Sequence, residues 1–162
     1  MKDSVDQVPL RYQQLDALLA AGKWKEADQE TAKVMVEVAH RTEESWLDVA
    51  SIDNFPCEDL RAIDGLWVKY SNGRFGFSVQ KRIYQSLGSL TRGYNEQVWN
   101  NFGDRVGWRK GGSWLYYEDI TFNNKAPEGH LPSPERIDWV IHLGDLWSRI
   151  SSLASRLVKC NL

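Results

Sequence analysis

Residues 55–88 read FPCEDLRAIDGLWVKYSNGRFGFSVQKRIYQSLG, and this stretch predicts two amphipathic helices joined by a turn. Pro56 suits the start of a helix, and the acidic residues after it favour the positive end of the helix dipole. The buried face of the first helix is marked by Leu60, Ile63, Trp67 and Tyr70. SNG at 71–73 indicates a turn, Ser78 is expected to cap the second helix, and Gly88 to end it. The face of that second helix is Val79, Ile83 and Leu87. The stretch therefore predicts a helical fold.

The same periodicity continues on both sides of this stretch. Apolar residues at helical spacing lie before and after Gly22, which predicts an antiparallel αα-hairpin over 15–41, preceded by a flexible segment or a leading turn over 1–14. Further helices are marked by Trp99, Phe102 and Val106, and near the end by Leu146, Ile150, Leu153 and Leu157. Residues 1–162 are thus expected to form one all-α domain.

The segment before the last helix interrupts this pattern. WLYYEDITF, residues 114–122, allows at most a short strand or a helical turn. APEGHLPSPE, residues 126–135, contains three prolines and a glycine, so it predicts a loop. Because long loops inside compact domains are often functional, residues 123–145 are expected to be a loop or lid region.

Composition limits the classes of function. The 162 residues carry 20 Lys and Arg against 22 Asp and Glu, a net charge of -2 that gives no general affinity for nucleic acid or anionic lipid. The sequence contains no run of about 18 apolar residues that would predict a transmembrane helix, and its first residues lack a targeting pattern. A soluble intracellular protein is expected, or a mature form whose targeting segment has been removed. The eight Trp, six Tyr and five Phe exceed what a small helical core needs, which favours a ligand or partner surface.

The nucleophilic and metal-binding residue types do not form a motif. Cys57 and Cys160 are expected to be separate thiols of a reducing compartment, with Cys57 buried rather than catalytic. His40, His130 and His142 show no spacing that would build a catalytic or metal site. The sequence therefore predicts neither an enzyme nor a metal centre.

Two stretches combine aromatic rings with cations. Phe75 and Phe77 flank Gly76, beside Arg74, Lys81 and Arg82. Such a mixture suits a flat aromatic ligand or a nucleobase, but it equally suits a turn held onto the core with its charges in water. The composition of this stretch leaves both alternatives open.

The second mixture lies around residues 106–122. Trp114 and Tyr116 are expected to pack inside, and Trp108 to border a cavity. In the last helix, Arg156 and Lys159 are three residues apart, so they share a face that could receive carboxylates.

Four stretches taken together resemble the genomes-uncoupled-four family, porphyrin-binding proteins of oxygenic phototrophs. They are LLAAGKWKEADQET at 18–31, IDNFPCEDLRAIDGLWVKYSNGRFGFSVQKRIYQSLG at 52–88, FGDRVGWRKGGSWLYYEDITFNNKAPEGHLPS at 102–133 and SLASRLVKC at 152–160. The resemblance implies a helical domain shaped like a cupped hand, whose concave face holds protoporphyrin IX or magnesium protoporphyrin IX. It also implies a non-catalytic accessory protein that stimulates magnesium chelatase through the large porphyrin-binding subunit of that enzyme.

The resemblance also implies site residues. The apolar wall corresponds to LWVKYSNGRFGF at 66–77, the closing tryptophan to Trp139, and the cations that meet the propionates to Arg156 and Lys159. With the aromatic and basic residues above, the expected tetrapyrrole-binding set is Val68, Arg74, Phe75, Phe77, Trp108, Trp139, Arg156 and Lys159. A porphyrin is an apolar plate with carboxylates on one edge, so it requires an apolar wall with cations at one rim.

Two alternatives accompany this hypothesis. PSPERIDWVIHLG at 132–144 departs from the family's usual lid, which favours a divergent porphyrin or bilin binder that does not activate chelatase. A single-stranded nucleic-acid module would use Arg74, Phe75 and Phe77 for stacking, but the net charge opposes it. The resemblance implies a location in the cytoplasm of a cyanobacterium or in the plastid stroma of an alga or plant. It also allows a peripheral pool on thylakoid or envelope membranes.

Overall fold

The computed structural model describes residues 7–88, 95–133 and 143–162, and within the last range the side chains of 148 and 150–162. The described residues form seven α-helices: α1 Gln13–Ala20, α2 Trp24–Val38, α3 Val49–Asp53, α4 Cys57–Tyr70, α5 Phe77–Ser86, α6 Glu96–Val106 and α7 Leu143–Lys159. They also form short 3₁₀ helices at Leu10–Tyr12 and Tyr117–Asp119, and an antiparallel hairpin of β1 Arg109–Lys110 and β2 Ser113–Trp114. The predicted helical fold is confirmed. Within the described ranges, every helix is too short or too polar to span a bilayer.

The first half of the core surrounds Trp67 of α4. Helix α1 packs against α2 and α4, and all three direct apolar side chains at one another. The indole N–H of Trp67 donates to the hydroxyl of Thr31 at 2.9 Å, so its polar atom is satisfied inside the core. The ring of Trp24 lies 6.1 Å from that of Trp67 between centroids.

The second half of the core is an aromatic cluster between α5 and α6. Trp99 stacks on Phe102 with centroids 5.8 Å apart, and Tyr84 of α5 meets Phe102 edge-on at 5.3 Å. Trp114 of β2 covers Trp99 at 4.9 Å, so the hairpin closes this cluster from outside. Offset and edge-on pairs at these distances stabilise beyond the area they bury.

The direction of α5 is set at the α4–α5 corner, residues 71–76. Gly76 has φ 128°, and a β-carbon there would lie 2.8 Å from Oδ1 of Asp64 and 2.9 Å from Cγ2 of Val68. Oδ1 of Asp64 accepts the backbone N–H of Ser78 at 2.8 Å, and burial raises the pKa of this carboxyl. The prediction that Ser78 caps α5 is therefore wrong, because α5 begins at Phe77 and the capping carboxylate comes from α4.

Helix α7 is fastened at its far end by a disulfide between Cys57, the first residue of α4, and Cys160. The prediction of two separate thiols is wrong, because the fold brings residues 103 positions apart to a Cα–Cα distance of 5.3 Å. Arg61 donates to the carbonyl oxygen of Cys160 at 2.9 Å, and Arg156 donates to that of Phe55 at 2.8 Å. Helix α7 itself packs against α3 and α5.

The corner makes Gly76→Ala a test of the packing between α4 and α5. The substitution should lower the free energy of unfolding by about 3 kcal/mol, since it combines a strained positive φ with a collision against Asp64 and Val68. Urea unfolding followed by tryptophan fluorescence measures this loss.

Gly73→Ala is the matched control for that substitution. Gly73 has φ 80°, but a β-carbon added there would meet nothing within 4 Å, so it should lose only the backbone contribution, about 1–2 kcal/mol. Equal losses at both positions would show that the collision at Gly76 contributes nothing.

Candidate functional site

The candidate site is the α5–α7 seam, where the two helices pack face to face. The seam is lined by Phe77, Gln80, Lys81 and Tyr84 of α5 and by Ile150, Leu153, Ala154 and Leu157 of α7. Both sets repeat at three and four residues, so each occupies one face of its helix. The crevice between them is apolar and holds only about 10 Å³, enough for about one water molecule. The two walls are thus formed, and they are closed on each other.

The predicted wall residues divide between the seam and the core. Phe77 lines the seam and is 6% exposed, while Val68 is half-buried at the α4–α5 corner and packs against the aromatic cluster. Phe75 is fully buried, with its ring centroid 5.6 Å from that of Trp24 and 6.4 Å from that of Trp67. At Gly76 the close approach is made by Asp64 and Val68 of the same chain rather than by a ligand.

The burial of both phenylalanines also bears on the nucleic-acid alternative. A stacking platform for bases requires exposed ring faces. Phe75 is 0% exposed and Phe77 is 6% exposed, so neither presents such a face. This conformation therefore opposes that alternative.

The predicted cations are spread around the seam. The side chain of Arg74 donates to the carbonyl oxygen of Ala126 at 2.5 Å, and that of Arg156 bonds the carbonyl oxygen of Phe55. Lys159 is exposed at the end of α7. Lys81, which lines the seam and bonds the carbonyl oxygen of Leu162, is a residue that the predicted site set lacks. Its sequence signal is its position four residues after Phe77, which places the two on one helical face.

Trp108 and Tyr116 lie elsewhere than the sequence predicts, and a third aromatic residue of the prediction, Trp139, is not described by the structure. The sequence predicts Trp108 at the border of a cavity, but it is 3% exposed, and its indole N–H donates to the carbonyl oxygen of His130 at 2.8 Å. The sequence predicts Tyr116 inside, but it is 64% exposed because a 3₁₀ helix follows it instead of a continued strand. The predicted lid residue, Trp139, lies outside the described residues.

The loop before the last helix is bonded to the walls of the site along residues 117–133. The side-chain amide of Gln80, a seam residue, donates to the carbonyl oxygens of Gly129 at 3.0 Å and Pro132 at 2.7 Å. His130 is buried, accepts the N–H of Thr121 on Nε2, and has Nδ1 2.7 Å from the carbonyl oxygen of Val106. Nδ1 therefore carries the proton, and burial lowers the pKa of this imidazole. One side of the seam is thus held rigidly.

Asp28 of α2 holds the same loop at Tyr117 and Ser133. Its carboxylate is 1% exposed and accepts the N–H of Ser133 at 2.6 Å, the hydroxyl of Ser133 at 2.5 Å and the hydroxyl of Tyr117 at 3.0 Å. Burial raises the pKa of this carboxyl to about 6, although the hydrogen bonds lower it. Sequence reasoning missed Asp28 because its partners lie 89 and 105 residues away.

Comparisons with known proteins show that this chain belongs to a family. The family model described as GUN4-like matches residues 5–148. The ycf53 protein of Porphyra purpurea is 34% identical over 140 residues, covering 85% of this chain and 56% of its own length. The Ycf53-like protein of Synechocystis is 32% identical over 124 residues, covering 75% and 50%. The tetrapyrrole-binding protein, chloroplastic, of Arabidopsis thaliana is 29% identical over 125 residues, covering 73% and 46%. The chain spans about half the length of these relatives.

Two solved structures share the fold. The ligand-free structure of Arabidopsis thaliana GUN4 superposes with a TM-score of 0.70 at 22% identity, covering 95% of this chain and 97% of that one. The structure of GUN4 from Chlamydomonas reinhardtii gives 0.68 at 24% identity, covering 96% and 94%. At these identities, the two structures establish the helical arrangement alone.

Asp28→Asn should remove a pH dependence of stability. Asp28 has a folded pKa of about 6 against an ordinary 3.8, so the unfolded chain releases this proton first and stability falls as pH rises from about 4 to 6. At about 1.4 kcal/mol per pH unit, the fall is about 3 kcal/mol and persists above pH 6. The asparagine variant lacks this fall. The free energy of unfolding of the variant, minus that of the wild type, should therefore increase as the pH rises from about 4 to 6.

Urea titrations at pH 4, 5, 6 and 7 measure the difference between the two proteins. The contribution of His130 is present in both and cancels. Asp53→Asn, at an exposed carboxylate, is the control for the loss of one negative charge. A constant difference between wild type and Asp28→Asn across these pH values would refute the assignment.

Proposed function

Because the chain belongs to the GUN4-like family, we propose that it is a non-catalytic tetrapyrrole-binding protein whose ligand enters the α5–α7 seam. The ligand we propose is a porphyrin, protoporphyrin IX or its magnesium complex. The observation that carries the proposal is the pair of matched apolar helical faces with a cation beside them. The name of the Arabidopsis relative, a tetrapyrrole-binding protein, supports the ligand class.

The chemistry of the seam suits a large flat ligand. Phe77 and Tyr84 offer aromatic surface on one side, and Leu153 and Leu157 offer aliphatic surface on the other. Burying apolar surface contributes about 25 cal/mol per Å², so a macrocycle between these walls replaces the contacts that the helices lose when they separate. The closed crevice of about 10 Å³ means that the ligand must part α7 from α5.

Cations near the seam can receive the propionates. Lys81 already lies on the lining, and it bonds a main-chain oxygen of Leu162 that a propionate can replace. Arg156 and Lys159 stand on the last turns of α7, and Arg156 would have to leave the carbonyl of Phe55. A bond between a cation and a carboxylate, where both partners are ionised, is stronger than a bond from the same cation to an uncharged carbonyl oxygen, which favours the exchange at Arg156.

The proposed role is to deliver or present the porphyrin to magnesium chelatase, acting through the large porphyrin-binding subunit in a cyanobacterial cytoplasm or a plastid stroma. A second candidate is a porphyrin or bilin binder that does not activate chelatase. The unusual lid sequence at 132–144 favours this candidate. Reconstituted chelatase assayed with and without this chain separates the two, because only an activator raises the rate.

Filling the seam tests where the ligand binds. Deuteroporphyrin should quench the tryptophan fluorescence of the wild type at micromolar concentrations. Ala154→Phe should raise the Kd at least about tenfold, or about 1.4 kcal/mol, because the added ring occupies the apolar space between the walls.

Ser155→Phe is the matched control, since it adds the same ring on the exposed side of α7 and should leave the Kd unchanged. Circular dichroism checks that overpacking at position 154 has not unfolded the chain. Equal Kd values for all three proteins would place the ligand elsewhere, and no quenching of the wild type would sink the proposed function.

A further inference from the structure

The end of α7 is attached to α4 by a covalent bond that lies one helical turn from the seam. Cys160 follows Leu157, a seam residue, by three positions, and its sulfur joins that of Cys57. The bonds of Arg61 to the carbonyl of Cys160 and of Arg156 to the carbonyl of Phe55 reinforce the same attachment. The disulfide therefore restrains the wall of the seam that has to move.

We propose that Cys57–Cys160 is a reversible thiol–disulfide site for a dithiol reductant, and that its reduction loosens the end of α7 and eases ligand entry into the seam. The claim about ligand entry rests on the proposed function. The claims about the thiol–disulfide site and the loosening of α7 do not, because they concern the protein without a ligand.

The two sulfurs differ in access, which gives the exchange a direction. Cys57 is half-buried, whereas Cys160 is 2% exposed, so an incoming thiolate reaches the sulfur of Cys57. Its attack forms a mixed disulfide at Cys57, breaks the native bond and leaves the electron pair on the sulfur of Cys160, which then takes a proton.

The second thiolate of the reductant completes the exchange. It attacks the sulfur of the reductant in the mixed disulfide, so the reductant becomes a disulfide and Cys57 leaves with the electron pair. Two electrons and two protons have then passed from the dithiol to the two cysteines. Cys57 is the first residue of α4, where free backbone N–H groups and the helix dipole stabilise a leaving thiolate. Asp59, two residues later in the same first turn, is engaged by Tyr12 and Arg11, which offsets its opposing charge.

The contacts that remain after reduction are of a kind that a ligand can displace. Two arginine side chains bond carbonyl oxygens, and Lys81 bonds that of Leu162. Leu157 and Cys160 still pack in the core. Helix α7 therefore stays folded on the domain, but its end opens more often.

The first arm of the test needs no ligand. Hydrogen exchange is followed in peptides covering 150–162 of the oxidised protein, the dithiothreitol-reduced protein and the double variant Cys57→Ser/Cys160→Ser. Exchange in these peptides should rise at least about tenfold on reduction, with α1 and α2 unchanged, because only the local opening is affected. The double variant should match the reduced protein and ignore dithiothreitol.

The second arm follows deuteroporphyrin binding to the same three samples by stopped-flow fluorescence. Reduction should raise the apparent association rate at least about tenfold, because ligand that binds only to the open site associates in proportion to the fraction of molecules in which the site is open. Circular dichroism confirms that the samples are folded. Reoxidation of the reduced wild type with diamide should restore the slow rate, which keeps the test valid if the double variant does not fold.

The outcomes separate the two claims. Thiols shown to be free by alkylation, with exchange in 150–162 unchanged, would overturn the inference whether or not porphyrin binds. Faster exchange with equal association rates would overturn the link to the seam. Faster exchange without porphyrin binding by any sample would support the thiol–disulfide site. The same result would refute both the proposed function and the claim about ligand entry.

Discussion

The hydrogen bond from the backbone N–H of Ser78 to the buried carboxylate of Asp64 decides how the second half of the molecule is arranged. It ties the start of α5 to the middle of α4. The two helices can approach this closely because residue 76 is a glycine and has no β-carbon to collide with α4. A carboxylate at a helix N-terminus meets unpaired N–H groups and the positive end of the dipole, so its burial is offset. Because this corner is fixed, α5 turns Phe77 and Tyr84 towards α7.

The walls of the seam differ in how firmly they are held. On the α5 side, Gln80 bonds the loop at Gly129 and Pro132, and Asp28 bonds the same loop at Ser133. Tyr84 is backed by the aromatic cluster around Phe102. On the α7 side, the described residues 150–162 are held by apolar packing, bonds to main-chain oxygens and one disulfide. Any widening of the seam therefore falls to α7, which makes its attachment to α4 the natural point of control.

Much of this fold follows from local patterns. Apolar residues at three- and four-residue spacing predicted α2, α4, α5 and α6, because one buried stripe is enough to define a helix against a core. The prolines and glycine of 126–135 predicted a break in the helices, and residues 126–133 contain neither helix nor strand, whereas 134–142 lie outside the described residues and α7 already begins at Leu143. The family resemblance predicts a site that includes Phe77, and Phe77 lines the α5–α7 seam.

The remaining features depend on contacts between distant residues, which leave no local pattern. Asp64 caps a helix that starts 13 positions later, Asp28 bonds Ser133 at a separation of 105, and the cysteines pair at 103. Ring-rich composition also cannot distinguish a core from a ligand surface, since both bury aromatic area. Phe75 and Trp108 are predicted at the ligand for that reason, and both lie inside the protein.

A crystal structure of the chain with deuteroporphyrin bound tests the central claim most directly. We predict the macrocycle between α5 and α7, in contact with Phe77 on one face and Leu153 on the other, with α7 displaced and the bond from Ser78 to Asp64 retained. A macrocycle bound at another surface while the α5–α7 seam stays closed would contradict it.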